Sequence, residues 1–413
     1  MPRRLGTHNN NRLDGTFLAD EIYGFGGNDW LRGFAGNDRI FGGLGNDILD
    51  GGDGDDVLSA DRGDNALYGG NGSDILMSGW GSDLLNGGSG IDLASYRFMA
   101  TAVNVNLDTG VGFGQDFEDR LVSVENLFGS GFGDVLTGDH GRNQIWGHDG
   151  DDAINGMGGN DFIDGGAGRD RLLGGAGNDT INGGDGGDDI FDGPGDDVVR
   201  GGRGADTITV GTGRNTIDGG SSSDRLTFEQ GVFDTGAFVD LKHGVARVGN
   251  DSYSTLYSME HVTGTDLADR IFGTDGQNYL YGQDGDDFIS GRGGSDAISG
   301  DRGDDVLEGG LGNDDLLGGR GSDTFVFGSE WRASGKHNIQ TYYSHGHDTI
   351  YDFEESDIID LSGHHYASDF EYILEHAEQI GTTTRLNLSH IGEDSIDLIF
   401  TDLEDLYARQ FVF

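Results

Sequence analysis

Aspartate recurs at intervals of nine residues over much of this chain, and that spacing suits metal binding. Asp29, Asp38, Asp47 and Asp56 are the sixth residues of four consecutive nonapeptides, GFGGNDWLR, GFAGNDRIF, GGLGNDILD and GGDGDDVLS. Carboxylates are hard oxygen donors, and Ca²⁺ takes roughly six to eight oxygen ligands at about 2.3–2.6 Å. One nonapeptide cannot supply that many oxygens, whereas two turns stacked one above the other can. The spacing therefore predicts calcium sites that are shared between repeated turns.

The nonapeptides form three runs without internal gaps, residues 6–95, 129–227 and 264–326. Their sixth residue is Asp or Asn in all 28 units, and their eighth residue is Ile, Leu or Val in 26 of them. A disordered Gly/Asp tract has no reason to keep an aliphatic residue in phase, so we expect an ordered fold once calcium is bound. The predicted metal ligands are sixth-position aspartates of these runs: Asp29, Asp38, Asp47, Asp56, Asp74, Asp83, Asp92, Asp152, Asp161, Asp170, Asp179, Asp188, Asp197, Asp206, Asp287, Asp296, Asp305, Asp314 and Asp323.

Five units have asparagine at the sixth position instead, namely Asn11, Asn65, Asn143, Asn215 and Asn278. Two interpretations are open for these turns. Either the amide oxygen still binds the ion, more weakly than a carboxylate would, or the turn holds no ion. We favour weakened binding.

The repeat GGxGxDxUx, where U is a large aliphatic residue, is the signature of calcium-binding RTX (repeats-in-toxin) proteins, and the chain resembles that family over nearly its whole length. The resemblance implies an all-β fold, a parallel β-roll (a right-handed β-solenoid) in three blocks. Each GGxGxD segment would be a turn, where glycine permits positive φ, and each xUx segment a short strand. Two units would form one coil, and each ion would lie between the turns of units n and n+2, bound by backbone carbonyls and sixth-position carboxylates.

The charge of the chain matches this interpretation. If nearly every pair of stacked turns held one ion, the chain would bind up to about 20 Ca²⁺ ions. Their charge would be close in size to the formal net charge of −49, which opposes folding when no counter-charge is present. We therefore expect an expanded chain at low calcium and a roll at about millimolar calcium.

The two segments between the runs resemble each other. Residues 105–110 (VNLDTG) match 239–244 (VDLKHG), and 123–126 (SVEN) match 258–261 (SMEH), which indicates that a run and its insert were duplicated together. Both inserts alternate apolar and polar residues as antiparallel strands do. The predicted domains are a first β-roll block (1–95), a β insert (96–128), a second block (129–227), a second β insert (228–263), a third block (264–326) and a C-terminal β-rich cap and secretion-signal domain (327–413).

The C-terminal segment resembles the final domain of type I-secreted RTX proteins and of serralysin-type proteases. That pattern, D-T-I-x-D-F-x-x-x-D-x-I-D-L, is filled by residues 348–361, and a helix near 366–379 and strands in RLNLSH and SIDLIF are predicted after it. The terminal FVF is typical of an uncleaved secretion signal, whereas residues 1–20 contain no apolar run of signal-peptide length. The resemblance implies export by type I secretion machinery, and hence a secreted, extracellular or cell-surface protein.

Composition disfavours several classes of partner. A net charge of −49 disfavours nucleic acid, whose phosphates carry the same sign. The chain has no cysteine, which excludes disulfides and thiolate metal sites. No segment approaches the ~20 apolar residues of a membrane-spanning helix, so we expect no membrane insertion and disfavour a pore-forming toxin.

Catalytic motifs are not found. The chain lacks G-x-S-x-G, H-E-x-x-H and G-x-x-x-x-G-K-[ST]. The best candidate for a catalytic or transition-metal site is the cluster His345, His347 and Asp348, which we interpret as a solvated loop. The nearby Trp331, Tyr342 and Tyr343 are interpreted as packing residues rather than as a sugar-binding platform.

These observations favour a secreted, non-enzymatic calcium-binding protein that folds on binding extracellular Ca²⁺ and has a structural, surface or partner-binding role. The partners are calcium ions and the type I secretion machinery, and a surface glycan or self-assembly is also considered. The alternative is a secreted enzyme that acts on polysaccharide or lipid, with its site in the C-terminal segment.

Overall fold

Short parallel strands, most of them preceded by a turn and its Asp or Asn residue, account for most of the secondary structure of this chain. The computed structural model describes residues 1–249, 252–327, 346–362, 369–388 and 394–413. They divide into two compact units, one of residues 1–208 with 220–222 and the other of residues 209–219 with 223–413. The predicted all-β parallel β-roll is confirmed. The predicted domain boundaries stay a prediction.

Two sheets form the first unit. The first sheet contains, in order of pairing, Arg3–Thr7, Glu21–Gly26, Arg39–Leu44, Val57–Ser59, Ile75–Met77, Leu93–Ser95, Asn126–Phe128, Gln144–Asp149, Phe162–Ala167, Thr180–Asp185 and Val198–Arg203. The second sheet contains Arg12–Asp14, Trp30–Ala35, Ile48–Asp53, Ala66–Asn71, Leu84–Ser89, Glu118–Val122, Val111–Phe113, Asn104–Asn106, Val135–Thr137, Ala153–Asn155, Arg171–Leu173 and Asp189–Phe191.

The second unit also has two sheets. Its first sheet contains Arg214–Ser221, Ser252–Tyr257, Val245–Val248, Ala237–Asp240, Arg270–Phe272, Phe288–Ser290, Val306–Glu308, Thr324–Val326, Ile358–Asp360 and Phe411–Val412. Its second sheet contains Arg225–Phe228, His261–Thr263, Tyr279–Asp284, Ala297–Arg302, Asp315–Arg320, His347–Ile350, Ser395–Ile399, Thr383–Asn387 and Ala377–Ile380. Two strands contain residues of both units, namely Thr207–Val210 and Arg214–Ser221, of which residues 220–221 belong to the first unit.

The strands stack with a period of eighteen residues, as two units per coil require. Ile22 is aligned with Ile40 in one sheet, and Leu31 is aligned with Leu49 in the other. These eighth-position side chains are completely buried between the two sheets. Each one contributes roughly 1.5–3 kcal/mol by leaving water, so the core is a repeated column of aliphatic side chains.

Each insert adds a three-stranded antiparallel meander to a sheet that is otherwise parallel. In the first insert the outer strands Glu118–Val122 and Asn104–Asn106 pair in parallel with the coils before and after, and Val111–Phe113 runs antiparallel between them. In the second insert Ser252–Tyr257 and Ala237–Asp240 are the outer strands that pair in parallel with the neighbouring coils, and Val245–Val248 runs antiparallel between them. The predicted β-rich inserts are therefore confirmed.

The roll continues into the C-terminal segment. Asp315–Arg320 pairs in parallel with His347–Ile350, and Thr324–Val326 pairs with Ile358–Asp360. The helix predicted near 366–379 is observed at Phe370–His376, where Asp369 caps it by accepting the Tyr372 N–H, and residues 366–368 lie outside the described residues. Two short 3₁₀ helices, Leu403–Asp405 and Ala408–Gln410, follow the last strands.

Among the helices in the described part of the chain, none is both long and apolar enough to span a bilayer.

The buried column of eighth-position side chains predicts that substitutions at two adjacent residues differ strongly in their effect on the free energy of unfolding. Leu49→Ala removes a completely buried side chain and should lower the free energy of unfolding by about 2–5 kcal/mol. The neighbouring Ile48 is exposed on the outer face, so Ile48→Ala is the matched control and should cost less than about 1 kcal/mol. Chemical denaturation of the calcium-saturated protein measures both values, and equal losses would contradict the observed register.

Candidate calcium-binding turns

The sixth-position carboxylates form rows along the turns. Oδ1 of Asp47 accepts the backbone N–H of Asp29 at 2.7 Å, and Oδ1 of Asp56 accepts that of Asp38 at 2.7 Å. The same bond, from one residue to its counterpart eighteen residues later, recurs through the runs. All nineteen predicted ligands are buried. The turn sequence thus places one carboxylate beneath the next, at a spacing of one coil.

The second oxygen of most of these carboxylates has no hydrogen-bond partner. Such a buried, unsatisfied oxygen costs free energy unless a proton or a cation binds it. Oδ2 is in this state in Asp29, Asp38, Asp47, Asp56, Asp74, Asp92, Asp152, Asp161, Asp170, Asp179, Asp188, Asp287, Asp296 and Asp305.

Backbone carbonyls lie beside these free oxygens. A Cβ added to Gly24, the first residue of its unit, would collide with Oδ2 of Asp29 and would meet the carbonyl oxygen of Gly42 at 2.5 Å. Gly45, the fourth residue of its unit, has φ of 126°, and a Cβ there would collide with the carbonyl of Gly27 one coil earlier. Only glycine tolerates this packing, and it leaves a cradle that is lined by oxygen atoms.

The donor set fits calcium. Carboxylate and carbonyl oxygens are its preferred ligands. Within the described residues, no group of three or more His, Asp or Glu side chains converges on one point. Backbone carbonyls such as that of Gly42 lie beside the carboxylates, as the family resemblance implied.

Burial makes these carboxylates hard to ionise. Desolvation, followed by repulsion from neighbouring carboxylates, raises the pKa of Asp56 and Asp152 to about 7 and that of Asp287 to about 8. The backbone hydrogen bond to each carboxylate lowers its pKa, by less than desolvation raises it. A divalent cation in the cradle would remove this penalty.

Asp83 differs from the other predicted ligands. Its Oδ2 accepts the Gly79 N–H at 3.1 Å and lies 3.2 Å from the Ser78 hydroxyl oxygen. Ser78 stands where most units have glycine, and its hydroxyl donates to Asp119 at 2.7 Å. The carboxylate at this turn is therefore satisfied by the chain itself.

Several carboxylates occupy the rows although they were not among the predicted ligands. Asp314 donates its N–H to Asp348, and Asp323 donates to Asp357, so the rows continue into the C-terminal segment. A sequence signal existed, because Asp348 and Asp357 are nine residues apart. The others are Asp20, Asp119, Asp134, Asp224 and Asp269. All but Asp119 hold the sixth position of a unit.

A separate polar cluster lies on the C-terminal strands. His347 places Nδ1 2.6 Å from the Ser395 hydroxyl and Nε2 3.0 Å from Asp397, and Arg385 binds the same carboxylate through two hydrogen bonds. Ser395 is buried. Four residues that the sequence analysis considered near this cluster lie outside the described residues: Trp331, Tyr342, Tyr343 and His345.

The sequence profile of the RTX calcium-binding nonapeptide repeat matches most of the chain. The matched segments are residues 5–33, 32–67, 59–94, 128–163, 155–190, 164–199, 191–226, 263–298 and 290–325. The search of curated proteins found no significant match.

Solved structures offer weaker likenesses. An extracellular lipase from Serratia marcescens is 21% identical over 63% of this chain, has a TM-score of 0.29, and is matched over only 41% of its own length. Two subunits of an Azotobacter vinelandii mannuronan C5-epimerase are each 28% identical to this chain. The match to the first covers 35% of this chain and 92% of the subunit, with a TM-score of 0.27. The match to the second covers 36% of this chain and 79% of the subunit, with a TM-score of 0.19. At such TM-scores these likenesses carry no inference about activity.

The raised pKa values predict how the calcium-free roll responds to pH. Because the folded pKa lies above the unfolded value of about 3.9, the folded state binds more protons, and this contribution to stability is lost as pH rises. It should be fully present below about pH 4 and lost as pH passes about 7 to 8, the pKa range of Asp56, Asp152 and Asp287.

Circular dichroism in chelator should therefore show more β structure at about pH 4, below these pKa values, than at about pH 8, where most of these carboxylates are ionised. A calcium-saturated sample is the control and should gain no β structure on acidification, since the ion already neutralises the carboxylates. A calcium-free signal that grows with rising pH would contradict the prediction.

Proposed function

Because the chain belongs to the RTX calcium-binding nonapeptide repeat family, we propose that it is a secreted protein that folds when it binds extracellular Ca²⁺ and acts outside the cell in a structural, surface or partner-binding role. The observation that carries this proposal is the row of buried carboxylates, each with one oxygen bonded to the backbone and the other free beside carbonyl oxygens.

Calcium binding and folding are one process in this account. The cradles exist only when coils are stacked, so the unfolded chain has no preformed site, and the free energy of binding becomes free energy of folding. The −49 charge keeps the calcium-free chain expanded. Cytosolic calcium is low, and the chain would therefore pass through a type I exporter unfolded and fold outside. Its partner there would be a surface glycan or a second copy of the chain.

Calcium titration tests the coupling. Starting in chelator, added Ca²⁺ should produce a cooperative gain of β structure and a compaction visible by small-angle scattering, at about 10⁻⁴–10⁻³ M, the range of extracellular calcium modules. Identical β content and radius of gyration with and without calcium would overturn the proposal.

One substitution tests the assignment of the ligands. Asp170→Asn removes a charge from a carboxylate whose Oδ2 is free, so calorimetry should show at least one fewer ion bound, or a weaker site. Asp108→Asn makes the same change at an exposed position of the first insert and is the matched control. An unchanged calcium isotherm for Asp170→Asn would remove this residue from the ligand set.

The second candidate function is hydrolysis of a polysaccharide or lipid by the C-terminal segment. The arrangement that favours it is the hydroxyl of Ser395, the imidazole of His347 and the carboxylate of Asp397 in hydrogen-bond sequence. We rank it below the structural role because Ser395 is buried and Arg385 already binds Asp397. Hydrolysis of polysaccharide or ester substrates that Ser395→Ala abolishes, while calcium-dependent folding is kept, would reverse this ranking.

A further inference from the structure

The first two turns of every run differ from the turns that follow them. They are residues 6–11, 15–20, 129–134, 138–143, 264–269 and 273–278, and we refer to them as the starter turns. Their second residue is never glycine but always carries a side-chain oxygen: it is Thr7, Thr16, Ser130, Asp139, Thr265 or Thr274. One turn of each pair has asparagine at the sixth position.

The starter turns close on themselves by hydrogen bonds. The N–H of Thr16 donates to Oδ2 of Asp20 at 2.6 Å, and its hydroxyl donates to the same atom at 2.8 Å. Thr265 makes the same pair of bonds to the two oxygens of Asp269, at 2.6 and 2.8 Å. Backbone bonds of this kind close the other four starter turns as well.

The backbone of the two kinds of turn differs at the second residue. In eighteen of the nineteen turns with a predicted calcium ligand this residue has positive φ, for example 74° at Phe25 and 91° at His148, and the exception is Gly79 in the turn of Asp83. In all six starter turns it lies outside the left-handed region. The N–H of the second residue reaches the sixth side chain in the starter turns and in the turn of Asp83.

The asparagines of the second and third starter pairs connect to the inserts. Nδ2 of Asn143 donates to the carbonyl of Glu125 at 2.7 Å, and Nδ2 of Asn278 donates to the carbonyl of Glu260 at 2.6 Å. A carboxylate at either position would place an acceptor against an acceptor. The contact with the insert therefore explains why these two positions hold asparagine.

We propose that the second and third runs each begin with a coil that closes without calcium and serves as the template on which the calcium-binding coils stack. Oδ2, which is free in most of the later turns, accepts a backbone N–H in Asp134 and Asp269, and Oδ1 of both carboxylates is hydrogen-bonded as well. In a repeat architecture each coil is stabilised by its neighbours, so a coil that forms first lowers the cost of adding the next. The inference deepens the proposed function, since it requires that the other turns bind calcium.

Hydrogen exchange of the intact chain tests this inference separately from the function. In chelator, peptides covering 129–143 and 264–278 should stay protected, while peptides from the interior turns should exchange as unfolded chain; with calcium, all should be protected. Uniformly fast exchange in chelator would overturn the starter coil but leave calcium-dependent folding intact. Uniform protection in chelator would overturn the proposed function itself.

A variant and a crystal provide independent checks. Thr265→Val removes the hydroxyl that donates to Asp269 and accepts the N–H of Leu267. Residues 264–278 should therefore exchange at least about fivefold faster in chelator, since each lost hydrogen bond is worth about 1 kcal/mol. Thr324→Val, at an outward-facing position of the same run, is the matched control and should change nothing there. Calcium seen at Asp134 or Asp269 in crystals grown with calcium would refute the proposal.

Discussion

A row of buried carboxylates, stacked one coil apart, is the constraint on which the rest of this structure depends. Each carboxylate holds its coil to the preceding coil by accepting a backbone N–H from it, and in most turns it keeps one oxygen without a partner. The row therefore fixes the register of the coils, but it also raises the electrostatic free energy of the folded chain. The cost is removed by cations, which explains how a chain with a charge of −49 can form a close-packed repeat.

Repetition has different consequences for different side chains on the coils. Identical positions lie one above another, so aromatic residues stack, as do the rings of Tyr23 and Phe41, whose centroids are 4.8 Å apart. Polar residues at the same position of successive coils form hydrogen bonds, and Asn71 donates to Asp53 of the preceding coil at 2.8 Å. Like charges oppose stacking, and at the sixth position of the repeat a cation can compensate for them.

Much of this architecture follows from residue spacing alone. The buried column that contains Ile22, Ile40 and Leu49 is the eighth position of the repeat, and the eighteen-residue period follows from two edges per coil. The rows of carboxylates follow from the sixth position in the same way. These features depend only on periodicity, which a sequence displays directly.

Other features depend on backbone geometry or on pairing between distant segments, and these were not predicted. Whether Oδ2 is free or satisfied depends on φ at the second residue, so Asp83 resembles the other aspartates in sequence but not in hydrogen bonding. The place of Glu125 and Glu260 at the ends of rows depends on how the inserts pair. The continuation through Asp348 was not predicted because 34 residues, instead of the usual 18, separate it from Asp314.

The eighteen-residue stacking period also determines which changes of length this chain can accept. Deleting or duplicating two consecutive units would remove or add one whole coil, and every remaining strand would keep its partner and its edge. Deleting a single unit would move the turns of all later coils to the opposite edge of the roll. At the junction, strands that belong to one sheet would then have to pair with strands of the other. Lineages of such proteins should therefore gain and lose length in even numbers of nonapeptides within a run.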